Sequence, residues 1–229
     1  MKNNVIRKIL LGILISISIA FIIISISIFF DSRKFISITG SIILMMGICL
    51  PITLSAFIYI KNLSNISKKY KVMRRVVKVL LFFYVLLLFS GLFMIHIREQ
   101  EFKISMNISN YVKMNSNVIP FKTIIWYLQS YFEHSITLRT MILNIFGNMI
   151  LLAPMGILLP ILSIKQRQFK NFISTILLII VTIEVLQLFT NTGRFDIDDF
   201  ILNISGAVMF YGLYYLKFTQ TILKKIYCI

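Results

Sequence analysis

Apolar runs long enough to cross a lipid bilayer alternate along the chain with short polar stretches. Ile9 to Phe30 is apolar apart from serines. At ~1.5 Å of rise per residue, a helix of that length crosses a hydrocarbon core of ~30 Å. Phe35 to Ile60 is a second run, with Pro51 inside it as a kink whose freed carbonyl neighbouring helices would satisfy. Further runs cover Val76–Ile97, Met141–Leu162, Phe172–Phe189 and Phe200–Leu216. The pattern predicts an all-α integral membrane protein of about six transmembrane helices. The opening MKNNVIRK has the charge of a signal n-region. The run after it is too long for a signal core and lacks a small-residue cleavage site, so the first span is expected to stay uncleaved.

One stretch breaks the pattern. In the connection from Arg98 to Thr140, Phe121, Ile124, Ile125, Leu128 and Phe132 recur at helical spacing, with Lys122, Gln129, Glu133 and His134 mostly on the other side. Pro120 stands where a helix would start. Residues 120–136 are therefore expected to form an amphipathic helix on the outer surface, with Trp126 and Tyr127 at headgroup depth.

Charge fixes the expected orientation. The chain of 229 residues carries 24 Lys plus Arg against 8 Asp plus Glu, a net +16. The N-terminus, 61–78, 163–172 and 217–229 hold most of the cations and no acid. By the bias of Lys and Arg towards the cytoplasmic side, both termini are expected in the cytoplasm of a multi-pass protein of the cell membrane. The basic excess then reads as topology and contact with anionic lipid, and no nucleic-acid motif accompanies it. Cys49 and Cys228 make neither a disulfide framework nor a CxxC pair.

Polar groups inside the apolar runs are the candidate chemistry, because lipid makes them expensive. Asn144 and Asn148 share a face of the fourth span, Glu184 and Gln187 a face of the fifth, and Asp199 and Asn203 a face of the sixth. Under the expected topology all three pairs lie within about 10 Å of the outer boundary. Arg194, Asp196 and Asp198 sit in the loop between the last two spans. The plain alternative is interhelical hydrogen bonding, worth ~0.6 kcal/mol per group on average. Asp196, Asp198 and Asp199 also suit capping of a helix N-terminus. Glu184 needs a proton, a partner or water, and Arg194 is the nearest cation in sequence. The calcium-loop pattern is absent, as are the GxSxG, HExxH and P-loop motifs, so no metal or other cofactor is assigned. His134, beside Glu133, is a weaker candidate for a general base, against the plainer reading of a solvated or headgroup-facing histidine.

The order of these residues resembles the VanZ-like family of bacterial membrane proteins. The features that carry the likeness are Asn117-x-Ile119-Pro120-Phe121, Asn144-x-x-Gly147-Asn148 with Pro154-x-Gly156 and Pro160, and Glu184-x-x-Gln187. Arg194, Asp196-x-Asp198-Asp199 and Asn203-x-x-Gly206 complete the series. The resemblance implies a four-span domain over 76–216, preceded by a two-span extension with a basic loop over 1–75 and followed by a basic tail over 217–229. It also implies a setting in the cell envelope, since the family's namesake is associated with lowered susceptibility to teicoplanin, a lipid-bearing glycopeptide. The expectation is an outer-leaflet pocket for a lipid-linked or amphiphilic ligand such as a lipoglycopeptide, with membrane lipids as partners. Two rival functions remain at this level: a carboxylate-dependent enzyme acting on lipid headgroups through Glu184, and a proton-coupled transporter. The oligomeric state is not encoded in any motif.

Overall fold

Helices of bilayer length dominate the computed structural model, which describes residues 2–30, 38–89, 92, 116–190, 195–226 and 229. Three long helices come first: α1 (Lys2–Phe30), α2 (Ile38–Ile60) and α3 (Ile66–Phe89). After them come strand β1 (Ser116–Asn117), the surface-type helix α4 (Lys122–Phe132), α5 (Leu138–Leu151) and α6 (Met155–Leu162). A short 3-10 turn at Ile164–Arg167 leads into α7 (Phe169–Thr190). Strand β2 (Phe195–Asp196), α8 (Ile197–Tyr215) and α9 (Lys217–Lys225) complete the chain.

Among the described residues, four segments are long and apolar enough to cross a membrane: Ile6–Ser25, Ile43–Ile60, Leu138–Leu162 and Phe169–Gln187. Their side chains explain the medium. Ile23 is 60% exposed, Leu50 59% and Leu178 68%, and that much uncovered apolar surface is stable only against lipid. The other two expected spans fall short for identifiable reasons. The first half of α3 carries Lys68, Lys69, Lys71, Arg74, Arg75 and Lys78, and residues 90–91 and 93–97 lie outside the described residues. Helix α8 starts on Asp198 and Asp199.

The chain divides into two units, 1–91 with 223–229, and 92–222. In the first unit α1 packs on α2 and α2 on α3. The Ser18 hydroxyl lies within hydrogen-bonding reach of the carbonyls of Leu14 and Ile48 (3.2 and 3.3 Å), and so joins the first pair of helices. Opposite Gly47, a Cβ would meet the Phe21 ring at 2.4 Å, so the absent side chain is what lets that ring in.

The second unit is built around α8, which packs on α5, α6 and α7. Two glycines make this possible. A Cβ on Gly206 would lie 1.6 Å from the Met149 carbonyl oxygen, and one on Gly156 would lie 2.4 Å from that of Ala207. Backbone meets backbone at both crossings, as small residues permit in membrane helix pairs. Gly147 and Gly212 meet nothing within 4 Å and have no such role. Leu152, Ala153, Phe172, Ile176 and Ala207 are fully buried around these crossings.

The fourth expected span is not one helix. It breaks between Leu151 and Met155, where Pro154 has no N–H to continue the ladder and caps α6 instead. The break lies in protein rather than lipid, with Leu152 and Ala153 wholly buried and short-range backbone bonds such as Met155 N–H to Leu152 O (3.0 Å) closing it. At the far end of α8, Tyr211 stacks on Phe172 with centroids 4.3 Å apart and donates its hydroxyl to the Arg167 carbonyl at 2.6 Å. The Arg167 Nε donates to the Pro160 carbonyl at 3.1 Å, so this one residue ties α6, the 3-10 turn and α8 together.

Candidate functional site

The loop before α4 and the loop before α8 meet through the parallel pairing of β1 with β2, which sets Asn117 beside Asp196. That pairing lets two acids that are near neighbours in sequence do different work. Asp196 caps its own helix, its Oδ1 accepting from the Asp198 N–H at 2.9 Å. It also accepts from the Asn117 amide at 3.0 Å and the Thr123 hydroxyl at 2.6 Å. Asp198 caps a different helix. Its side chain is completely buried and accepts from the backbone N–H groups of Phe121, Thr123 (2.7 Å) and Ile124 (3.1 Å).

Those donors are the free N–H groups at the start of α4, where the helix dipole favours a negative charge. The N-cap residue, Phe121, has no capping side chain of its own and adopts φ 66°, a left-handed conformation that costs a non-glycine residue roughly 1–2 kcal/mol. The strained turn presents the Phe121 N–H to Asp198, and so α4 is anchored to α8 by a buried carboxylate. The helix begins at Lys122 rather than at Pro120, because Phe121 is spent on that turn.

Asp199, one residue on, is half-buried and looks the other way. It accepts a hydrogen bond from the Asn148 amide of α5, and its backbone carbonyl accepts from the Asn203 amide at 2.8 Å. The Asn144 amide donates to the Thr140 carbonyl at 2.8 Å. Glu184 of α7 and Asn203 of α8 are each only 6% exposed, and Glu184 Oε2 and Asn203 Oδ1 have no hydrogen-bond partner among the described residues.

Beside this network lies a cavity of about 640 Å3, lined by Lys122, Thr123, Ile125, Trp126, Tyr127, Gln129, Asn144, Asn148, Asp196 and Asp199. The structure therefore brings Asn144, Asn148, Asp196 and Asp199 to one cavity. Asp198 is behind its wall, occupied with backbone, and Glu184 and Asn203 do not line it. Gln187 is half-buried on α7, one turn beyond Glu184. Arg194 lies outside the described residues. Glu133 and His134 are exposed in the turn that ends α4 and are not part of the lining. Among the described residues, no group of three or more His, Cys, Asp or Glu side chains is placed to hold a metal ion.

Thr123 was not expected at the site. It joins Asn117 to Asp196, receiving from the first at 3.0 Å and donating to the second. Its one signal in sequence is a hydroxyl in the first turn of an amphipathic helix. On α4 itself, Lys122, Ile125, Trp126 and Gln129 face the cavity, while Phe121, Leu128 and Phe132, which do not line it, are exposed by 39 to 74%. A helix with one mixed cavity face and one open apolar face suits the boundary between water and lipid.

Fold and site together define an all-α membrane protein in which α4, α5 and the start of α8 line one cavity of mixed apolar and polar character. The VanZ/LLP1 family model matches residues 79–218, more than half of the chain, and the chain belongs to that family. No curated protein and no solved structure matches it. The match includes every residue discussed here from Asn117 to Gly206, whereas α1 and α2 lie outside it.

Proposed function

We propose that this VanZ/LLP1 family member works in the cell envelope, with six spans and both termini cytoplasmic, and that its cavity binds a lipid-linked or amphiphilic ligand in the outer leaflet. The observation that carries this reading is the cavity whose lining includes Asn144, Asn148, Asp196 and Asp199 together with Trp126 and Tyr127. Asn148 and Asp199 join α5 to α8 by a hydrogen bond, and space for a ligand remains beside them. A volume of this size suits a small-molecule site or a lipid headgroup. Helix α4, held by Asp198, forms the lip, and its apolar stripe gives acyl chains a surface to follow. Arg194, which precedes β2 in the sequence, would add a contact to phosphate or carboxylate.

In a strain that carries the gene, deletion is expected to alter susceptibility to teicoplanin-type lipoglycopeptides or the lipid composition of the outer leaflet. An unchanged profile across envelope-acting drugs, together with unchanged lipids, would count decisively against the reading. A second reading rests on Glu184, a buried carboxyl with one oxygen unpartnered among the described residues, which is the setting in which carboxylates serve as acids or bases. Glu184→Gln separates the two. Lost turnover with ligand binding intact would favour chemistry, and a graded loss of binding would favour recognition.

A further inference from the structure

The hydrogen bonds around the cavity decide which kind of headgroup suits it. Asn144 gives its amide N–H to a carbonyl and Asn148 gives its own to a carboxylate, partners that can only accept. The orientation of both amides is thereby fixed, and each keeps its oxygen as an acceptor. Asp196 is supplied by Asn117, Thr123 and the Asp198 N–H. Asp199 receives the single Asn148 bond, is half-buried, and has no Lys or Arg partner among the described residues. The helix dipole at the first turn of α8 offsets part of its desolvation, and a half-buried carboxylate with one hydrogen bond still has room for a nearby positive charge or further donors. The cation that does line the cavity, Lys122, is exposed. Water screens it, so it serves an anionic group at the rim better than it serves Asp199.

We propose that the ligand of this cavity carries an ammonium group beside an anionic one. The ammonium would sit on Asp199, accepted by the amide oxygens of Asn144 and Asn148 and faced by the Trp126 and Tyr127 rings, and the phosphate or carboxylate would sit at Lys122. The inference rests on the reading of the cavity as an amphiphile site and specifies its headgroup as zwitterionic. An ammonium is a single charge with several N–H donors, which suits one carboxylate flanked by neutral oxygens. A divalent metal would need more charged ligands than the described residues bring together. Aromatic rings in the lining add a cation–π attraction to the same charge.

Trp126 is the chain's single tryptophan and lines the cavity, so its emission reports on occupancy. The purified full chain in dodecyl maltoside is titrated with dihexanoyl phosphatidylethanolamine and, separately, with dihexanoyl phosphatidylglycerol. The two share the phosphate and the chains and differ in the ammonium. The expected result is a saturable change in Trp126 emission at a concentration at least about tenfold lower for the ethanolamine lipid. Asp199→Asn should remove that preference, and Lys122→Gln should weaken both lipids while keeping it. Equal affinity of the parent for the two lipids would overturn the ammonium assignment and leave the amphiphile site standing, and it needs no variant. Failure of both lipids to bind would overturn the site itself.

Discussion

Removing the negative charge of Asp198 should detach the surface helix without dismantling the membrane helices. The carboxylate takes three backbone N–H bonds, from Phe121 on Oδ1 and from Thr123 and Ile124 on Oδ2. In Asp198→Asn the amide oxygen keeps the latter two as neutral bonds, and the new NH2 faces the Phe121 N–H, donor against donor. Taking a charge-assisted bond at the low end of its range, ~1.5 kcal/mol, and a neutral one at ~1 kcal/mol, one lost and two weakened bonds cost about 3 kcal/mol. Burying an amide is easier than burying a charge, which returns about 1 kcal/mol. The net, about 2 kcal/mol, corresponds to a roughly 30-fold rise in local opening at the start of α4. Hydrogen exchange read by mass spectrometry on peptides covering 119–132 should show that loss of protection, with α7 and α8 unchanged. Protection altered by less than about threefold would refute the claim that Asp198 anchors this helix.

Other perturbations have equally definite outcomes. Gly206→Ala places a Cβ 1.6 Å from the Met149 carbonyl and should cost about 3 kcal/mol or more, read as thermal unfolding in detergent. Gly212→Ala, with open space around it, should be neutral or stabilising by about 0.5–1 kcal/mol; equal losses at the two positions would contradict the crossing described for α5 and α8. At the left-handed Phe121, Phe121→Val should be less stable than Phe121→Asn by about 1 kcal/mol, since asparagine tolerates that conformation and a β-branched residue does not. In a background with Cys49 and Cys228 replaced by serine, a cysteine at His134 should react with a membrane-impermeant maleimide in intact cells. A cysteine at Lys68 should react only after permeabilisation, and the reverse pattern would invert the proposed topology.

Helical periodicity is why part of the site is legible in the residues. Asn144 with Asn148, and Asp199 with Asn203, must share faces once their segments are helices, and the structure joins these faces through the Asn148–Asp199 bond. The role of Asp198 is not legible, because its donors lie 74 to 77 positions away in sequence. No local pattern distinguishes an acid that caps its own helix from one that caps another. The break at 152–154 was carried by Pro154, yet the unbroken apolar run around it reads as one span, since hydropathy is blind to backbone direction. The start of α4 shifted for a similar reason: proline marks a favoured first position, and only the tertiary demand of Asp198 forces Phe121 into a left-handed turn. Gly206 and Gly147 look alike in sequence, and only the helix crossing separates the one that admits a neighbouring backbone from the one that meets nothing.

The most direct measurement is native mass spectrometry of the full chain purified in mild detergent, set beside Asn144→Leu and Arg194→Ala. The account predicts a defined envelope amphiphile on the parent, lost or sharply depleted in both variants while their helical content is unchanged. The same lipids on all three proteins, or none on any, would contradict the claim that the cavity beside α4 is a ligand site.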